Sequence, residues 1–246
     1  LLSDEERVAI AHQLAERILR KYRWGVLVIF VIGSTAKNLD RPHSDLELLV
    51  VVRPWVRARS KYYLYRDLVI EVNYRKERLM LANARRLRWR WPVEADQFRN
   101  RLVLFERRGW LARLDAVVAE SDAADFTAAV REGAIRLVDA RGRLRNARDD
   151  GDERMVAVGA FAIAERAAML LLLLSRRYVR TNQRFFAEAF ACPDQPPDFR
   201  ALGERAAGMK PATVDERSAA AKRLCAVMLA AVEARGIRIN DEDLIV

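Results

Sequence analysis

The stretch that most constrains this chain lies between Leu27 and Val51. Leu27-Val28-Ile29-Phe30-Val31 runs into Gly33-Ser34-Thr35-Ala36-Lys37, and Ser44-Asp45-Leu46-Glu47-Leu48-Leu49-Val50-Val51 follows. The pattern predicts a buried strand, a Gly-Ser turn opening a short helix, and a second strand carrying two acids one residue apart. Side chains alternate faces along a strand, so Asp45 and Glu47 must point one way while Leu46 and Leu48 point into the core. Two carboxylates on one edge suit a divalent cation. Gly33-Ser34 offers exposed backbone N–H groups, a hydroxyl and the positive end of a following helix, which are the needs of a triphosphate.

Around that stretch the chain predicts two domains, since 246 residues can bury two modest cores. A capping box at Ser3-Asp4-Glu5-Glu6 starts a helix to about Tyr22. Gly25 to Ile32 and Leu46 to Val52 read as strands. Arg57, Arg59, Lys61 and Arg66 interleave with Tyr63 and Tyr65 in an exposed strand that turns at Arg66-Asp67 into Leu68 to Tyr74. Lys76 to Arg90 reads as helix, Leu102 to Phe105 as a last strand, and Gly109 to Glu120 as helix. From Ser121 the texture changes to Ala, Leu, Arg and Glu, which places the boundary there. Helices are expected at 124–146, 153–178, 184–191 and 213–235, with breaks at 149–151 and 192–197.

Composition narrows the chemistry. The net charge of +10 favours polyanionic company such as nucleotide or nucleic acid, although Arg enrichment also follows from genome composition or from life at high temperature. Two cysteines, Cys192 and Cys225, form no disulfide framework or zinc spacing and fit a reducing cytoplasm. Two histidines, His12 and His43, exclude a His-built metal site. The apolar run from Met155 to Leu174 is interrupted by Glu165-Arg166 and reads as a buried bundle helix, so no membrane partner is expected. Leu1-Leu2 leads straight into the acidic helix start, and no export leader is expected.

Asp-x-Glu alone is weak. Its conjunction with the Gly-Ser turn is not, and Glu71, an acid flanked by Val69-Ile70 and Val72, is costly to bury without a cation. The whole arrangement resembles the polymerase β nucleotidyltransferase superfamily. Within it, Gly33 to Lys37, Asp40-Arg41-Pro42-His43-Ser44-Asp45-Leu46-Glu47, Glu71-Val72-Asn73-Tyr74 and Trp91-Pro92 resemble the kanamycin nucleotidyltransferase family, the aminoglycoside 4′-nucleotidyltransferases. The expected class is therefore α/β, more narrowly α+β: a small mixed-sheet nucleotidyltransferase domain over residues 1–120, then an all-α helical bundle over residues 121–246.

The resemblance implies transfer of a nucleoside monophosphate from an NTP to an acceptor hydroxyl, with release of pyrophosphate. It implies Mg²⁺, with Mn²⁺ as the alternative, held by Asp45, Glu47 and Glu71, and a nucleotide site using Gly33, Ser34, Lys37 and Ser44. The family's general base, a carboxylate on the first long helix of the second domain, aligns with Asp139, and the following lysine with Arg143. Thr181 falls where the family has a threonine pair near the phosphates. A cytoplasmic homodimer is implied, and residues 157–174 are long and apolar enough for its interface.

Two departures stand out. Ala36-Lys37 replaces a Gly-Arg pair, keeping charge while losing a bidentate grip on phosphate. The stretch from Arg53 to Tyr74 holds five basic residues and only Asp67 and Glu71 as acids, where the family uses an acidic wall for a polycationic drug. If Arg57, Arg59, Lys61 and Arg66 face the cleft, an aminoglycoside would be repelled. The alternative acceptors are then RNA or a protein side chain, and a non-catalytic nucleotide-binding regulator is the further alternative. The Arg85-Arg86-Leu87-Arg88-Trp89-Arg90 cluster reads as a solvated helix face, with a nucleic-acid track as the lesser option.

Overall fold

In the computed structural model, which describes residues 2–240, the chain divides into two compact units, residues 1–86 with 94–124 and residues 87–93 with 125–246. The first is built on a five-stranded sheet. In chain order it contains α1 (Asp4–Tyr22), β1 (Val26–Ile32), β2 (Leu46–Val52), β3 (Arg59–Tyr65), β4 (Leu68–Lys76) and α2 (Glu77–Arg85). After the one-turn α3 (Trp91–Glu94), where the division falls, come β5 (Leu102–Glu106) and α4 (Trp110–Ala123). The strand order is β3-β4-β2-β1-β5. Only β2 and β4 run parallel; the other pairs are antiparallel. The sheet is mixed, as expected.

Strand alternation gives this sheet two cores. One face, with Ile29, Val31, Leu46, Leu48, Val50, Ile70 and Val72, packs against Ala11, Ala15 and Ile18 of α1. The other face, with Val28, Phe30, Leu49 and Val51, packs against Met80 and Ala84 of α2 and Trp110 and Leu114 of α4. Covered on both sides, β1 is buried along its whole length, which is why it reads as an unbroken apolar run. Truncating a residue such as Leu48 to Ala would cost roughly 2–5 kcal/mol.

The second unit is helical: α5 (Thr127–Asp149), α6 (Glu153–Leu174), α7 (Phe185–Phe190), α8 (Phe199–Ala206) and α9 (Val214–Glu233). Its axis is α6, buried from Ala167 to Leu174 on every side. That helix is long and apolar enough to cross a membrane, yet 67% of its most apolar window is buried inside the protein. Its apolarity is spent on packing. Residues 157–174 are accordingly mostly core rather than a free interface; the exposed apolar side chains sit at the start of the helix, on Met155, Val158 and Phe161.

Several boundaries differ from the sequence reading. Helix α4 runs through the expected boundary at Ser121 and ends at Ala123, and residues 87–93 belong with the second unit. Helix α2 stops at Arg85, where the backbone turns extended at Arg86. The Arg85 to Arg90 cluster is thus not a helix face. Helix α6 ends at Leu174: Arg176 adopts a left-handed conformation (φ 50°), and the amides of Arg176 and Arg177 donate back to the carbonyls of Leu173 and Leu172. Helix α8 was not anticipated. Its Gly203 hides helical propensity, but a Cβ there would lie 2.7 Å from the Phe190 ring, so packing selects glycine.

Candidate active site

The strand register brings the acids of the first unit together. Glu47 and Glu71 are direct partners across the parallel β2–β4 pair, Tyr62 partners Glu71 from β3, and Ile32 partners Glu47 from β1. Partners across a ladder share a face, so Tyr62, Glu71, Glu47 and Ile32 form one row across four strands. Asp45 lies just before β2, exposed, on the same side as Glu47.

Electrostatics mark this row. Burial, and then the like charges of Asp45 and Glu71, push the Glu47 carboxyl up from its ordinary 4.5 to about 7, with Lys37 opposing. Glu71 Oε1 accepts a hydrogen bond from the Tyr62 hydroxyl at 2.6 Å, which raises the tyrosine's own pKa. Among the described residues no three His, Cys, Asp or Glu side chains gather closely enough to form a closed ion cage. The three acids are neighbours in register and in field, then, but not the tight triad their spacing suggested: like charges repel, and Glu71 is drawn toward Tyr62. The donor chemistry fits a hard divalent ion, being all carboxylate oxygen whose charge Lys37 offsets only in part.

The turn before β2 is built around that carboxylate. Gly33 has φ +74°, and a Cβ there would collide with Glu47 Oε2, so glycine meets both the left-handed backbone and the close approach. The expected short helix is one 3₁₀ turn, Thr35–Lys37, closed by the Lys37 and Leu39 amides donating to the Ser34 carbonyl at 3.0 and 3.1 Å. A single turn carries little macrodipole, so the positive helix end anticipated for phosphate is absent here. Ser34 keeps a partly exposed side chain. Lys37 is not free: its ammonium is bonded to Asp96, which also accepts from Asn100 at 2.7 Å, and the Lys37 side chain is almost wholly buried.

Ser44 is engaged as well. Its hydroxyl accepts from the Arg41 amide at 2.9 Å, closing the turn that delivers Asp45. That turn is clamped by a residue the sequence reading passed over. Arg7 of α1, only 2% exposed, donates to the carbonyl of Ser44 and to those of Arg41 (3.1 Å) and Pro42 (2.8 Å). It also faces Asp40 at 3.6 Å. One guanidinium thereby holds the whole approach to β2. Its only sequence signal was an arginine on the helix face that carries Ala11, Ala15 and Ile18.

The basic stretch falls elsewhere than feared. On β3, Arg59 and Lys61 partner Tyr74 and Val72, which places them on the α1 face, behind the carboxylates. Arg59 bonds the Tyr22 hydroxyl and lies 5.6 Å over the Tyr74 ring. Arg66 sits in the β3–β4 turn, 5.4 Å over the Tyr65 ring, and Arg57 is exposed ahead of β3. What β3 presents beside Glu71 is Ser60 and Tyr62. Arg75 is the basic side chain that β4 contributes to that face.

In the second unit, Asp139 and Arg143 are exposed on α5 and paired to each other at 2.5 Å. Thr181 lies in the extended segment after α6, its carbonyl accepting from the Arg184 amide at 2.9 Å. Within that unit, Arg136 stacks 4.6 Å over the Trp89 ring and pairs with Glu132, so Trp89 is packed rather than offered to a base.

A mixed sheet with paired acids on adjacent parallel strands behind a Gly-Ser turn defines a nucleotidyltransferase, and the nucleotidyltransferase domain model matches residues 12–104. The chain is an enzyme of that class. The KNTase C-terminal domain model matches residues 108–238, more than half of the chain, and the chain belongs to that family. Two relatives, each an aminoglycoside nucleotidyltransferase (4′), from Staphylococcus aureus and from a Bacillus species, are 28% identical over 200 residues, covering 81% of this chain and 79% of theirs. A nucleotidyltransferase-like protein from Exiguobacterium sibiricum shares the fold with a TM-score of 0.54 at 16% identity, over 89% of this chain and 74% of that one.

Proposed function

We propose that this enzyme moves a nucleoside monophosphate from an NTP to a hydroxyl of an aminoglycoside and releases pyrophosphate, in a cytoplasmic homodimer. The observation that carries the reading is the row of Glu47 and Glu71 in register with Asp45 beside it, the Glu47 carboxyl being pushed up to about 7 by burial and its two acidic neighbours. The names of the two 28% identical relatives support the acceptor. So does the position of Arg59 and Lys61 on the opposite face, which lessens the charge conflict with a polycationic acceptor.

Asp45, Glu47 and Glu71 would hold Mg²⁺ or Mn²⁺. Bound there, the ion would neutralise triphosphate oxygens and favour deprotonation of the acceptor hydroxyl. The chain's own groups have separable tasks. Arg7 and Ser44 fix the approach that presents Asp45, Gly33 lets backbone lie against Glu47, and Tyr62 orients Glu71. Ser34 offers a hydroxyl to phosphate, while Lys37 balances the Glu47 carboxylate from its pairing with Asp96. Asp139 is the proposed base, with Arg143 and Thr181 as proposed phosphate contacts.

Pyrophosphate release over a panel of NTPs, with kanamycin and other aminoglycosides as acceptors, tests the reading. Turnover with any aminoglycoside and its loss in Asp45→Asn are expected. Turnover only with an RNA end, or tight NTP binding without pyrophosphate, would replace it.

A further inference from the structure

Behind the carboxylates, on the other face of the same strands, α1 and the β3–β4 edge enclose a cavity of about 430 Å³. Its floor is apolar: Leu14 and Ile18 from α1, Ile70 and Val72 from β4. Its rim is cationic. Arg17 and Lys21 stand one helical turn apart on α1, Lys61 faces them from β3, and among the described residues no acid lines the cavity. The side chains of Arg17 and Lys61 have no hydrogen-bonding or ion-pair partner among the described residues, Lys21 lies 5.7 Å from the Tyr22 ring centroid, and Glu16 on the same helix is turned to Arg20. The Tyr74 hydroxyl, pushed up to about 12 by burial and by the neighbouring Tyr22 and Tyr63, stays protonated and available to donate.

We propose that this cavity binds a small organic anion with a flat apolar body, such as an aromatic carboxylate, its ring on the Leu14–Ile18–Val72 floor and its charge at the Arg17–Lys21–Lys61 rim. The volume is in the range of small-ligand pockets, about 300–1,000 Å³. Three cations around an apolar floor with no acid among them select against neutral and cationic bodies of the same shape. Tyrosine rings around the rim add faces on which a planar ligand stacks. Because β4 carries Glu71 on one face and Ile70 and Val72 on the other, this site is separate from the nucleotidyl-transfer face while sharing its strand.

The test is calorimetric titration of the full chain with naphthoate, with naphthalenemethanol as neutral isostere and naphthylmethylammonium as cationic isostere. Naphthoate should bind at least ~10-fold more tightly than either, and Lys61→Ala and Arg17→Ala should each weaken it by roughly 5- to 10-fold, as expected for losing a charge-assisted contact. Unchanged near-UV circular dichroism shows that the variants are folded. Asp45→Asn should leave naphthoate binding intact, which separates this site from the carboxylate face; loss there would overturn the assignment. Equal affinity for the anion and its neutral isostere would also overturn it. So would absent naphthoate binding, and a sedimentation change in Lys61→Glu would then give the cavity to a second copy of the chain.

Discussion

Along β4, Glu71 and Asn73 stand on the face shared with Glu47, while Ile70, Val72 and Tyr74 stand on the face covered by α1. On β3 the same alternation puts Ser60 and Tyr62 beside the acids and Arg59 and Lys61 behind them. In sequence these residues form one basic, aromatic tract; in space they form an acidic front and a cationic back. The charge of a stretch is therefore no guide to the charge of a site until the strand period has sorted it. For an enzyme whose acceptor is proposed to be a polycation, that sorting decides whether the site attracts or repels it.

The contrast is broken most severely from the front. Glu47→Gln or Glu71→Gln should cut pyrophosphate release by at least ~100-fold, since each removes a charged oxygen donor from the proposed ion site, while thermal melting stays cooperative. Wild-type turnover in either variant would remove the carboxylates from the chemistry.

The next effect is a pH dependence. A carboxyl raised from 4.5 to about 7 is bound to a proton longer in the folded state than in the unfolded one. Its contribution to stability is thus fully present below pH 4.5 and is lost as pH rises through about 7. The melting temperature of the metal-free protein should fall across that window, and Glu47→Gln should flatten the fall. Mg²⁺, binding the deprotonated form, should stabilise more at pH 8 than at pH 6; equal stabilisation at both would mean that Glu47 holds no ion.

A smaller effect sharpens the front face. Tyr62→Phe removes the hydroxyl bonded to Glu71 and should lower turnover by roughly 3- to 10-fold, the scale of one hydrogen bond to a charged group that water partly replaces. The smallest effect belongs to the back: Lys61→Ala should leave turnover within about 2-fold. A large loss there would place Lys61 on the catalytic side after all.

Much of this was legible in the sequence because it rests on period and local rules. The apolar run of β1, the Asp45-x-Glu47 alternation, the Ser3–Glu6 capping box and the turn at Arg66-Asp67 each follow from one or two residues' geometry. What depended on distant partners was not. Nothing local tells that Arg7 reaches three carbonyls of the 41–44 turn or that Lys37 is bonded to Asp96. The missed α8 is of the same kind, its Gly203 selected by the Phe190 ring. The helix expected after Ser34 shrank to one turn because Asn38, in left-handed conformation, ends it where the chain must reach β2.

The most direct test of the acidic front and cationic back is the salt dependence of aminoglycoside binding. Calorimetric titration of kanamycin into the metal-free, nucleotide-free full chain should give tighter binding as ionic strength is lowered, because attraction to Asp45, Glu47 and Glu71 is least screened there. Binding that weakens as salt is lowered would show that the polycation meets the basic residues instead, and would contradict this account.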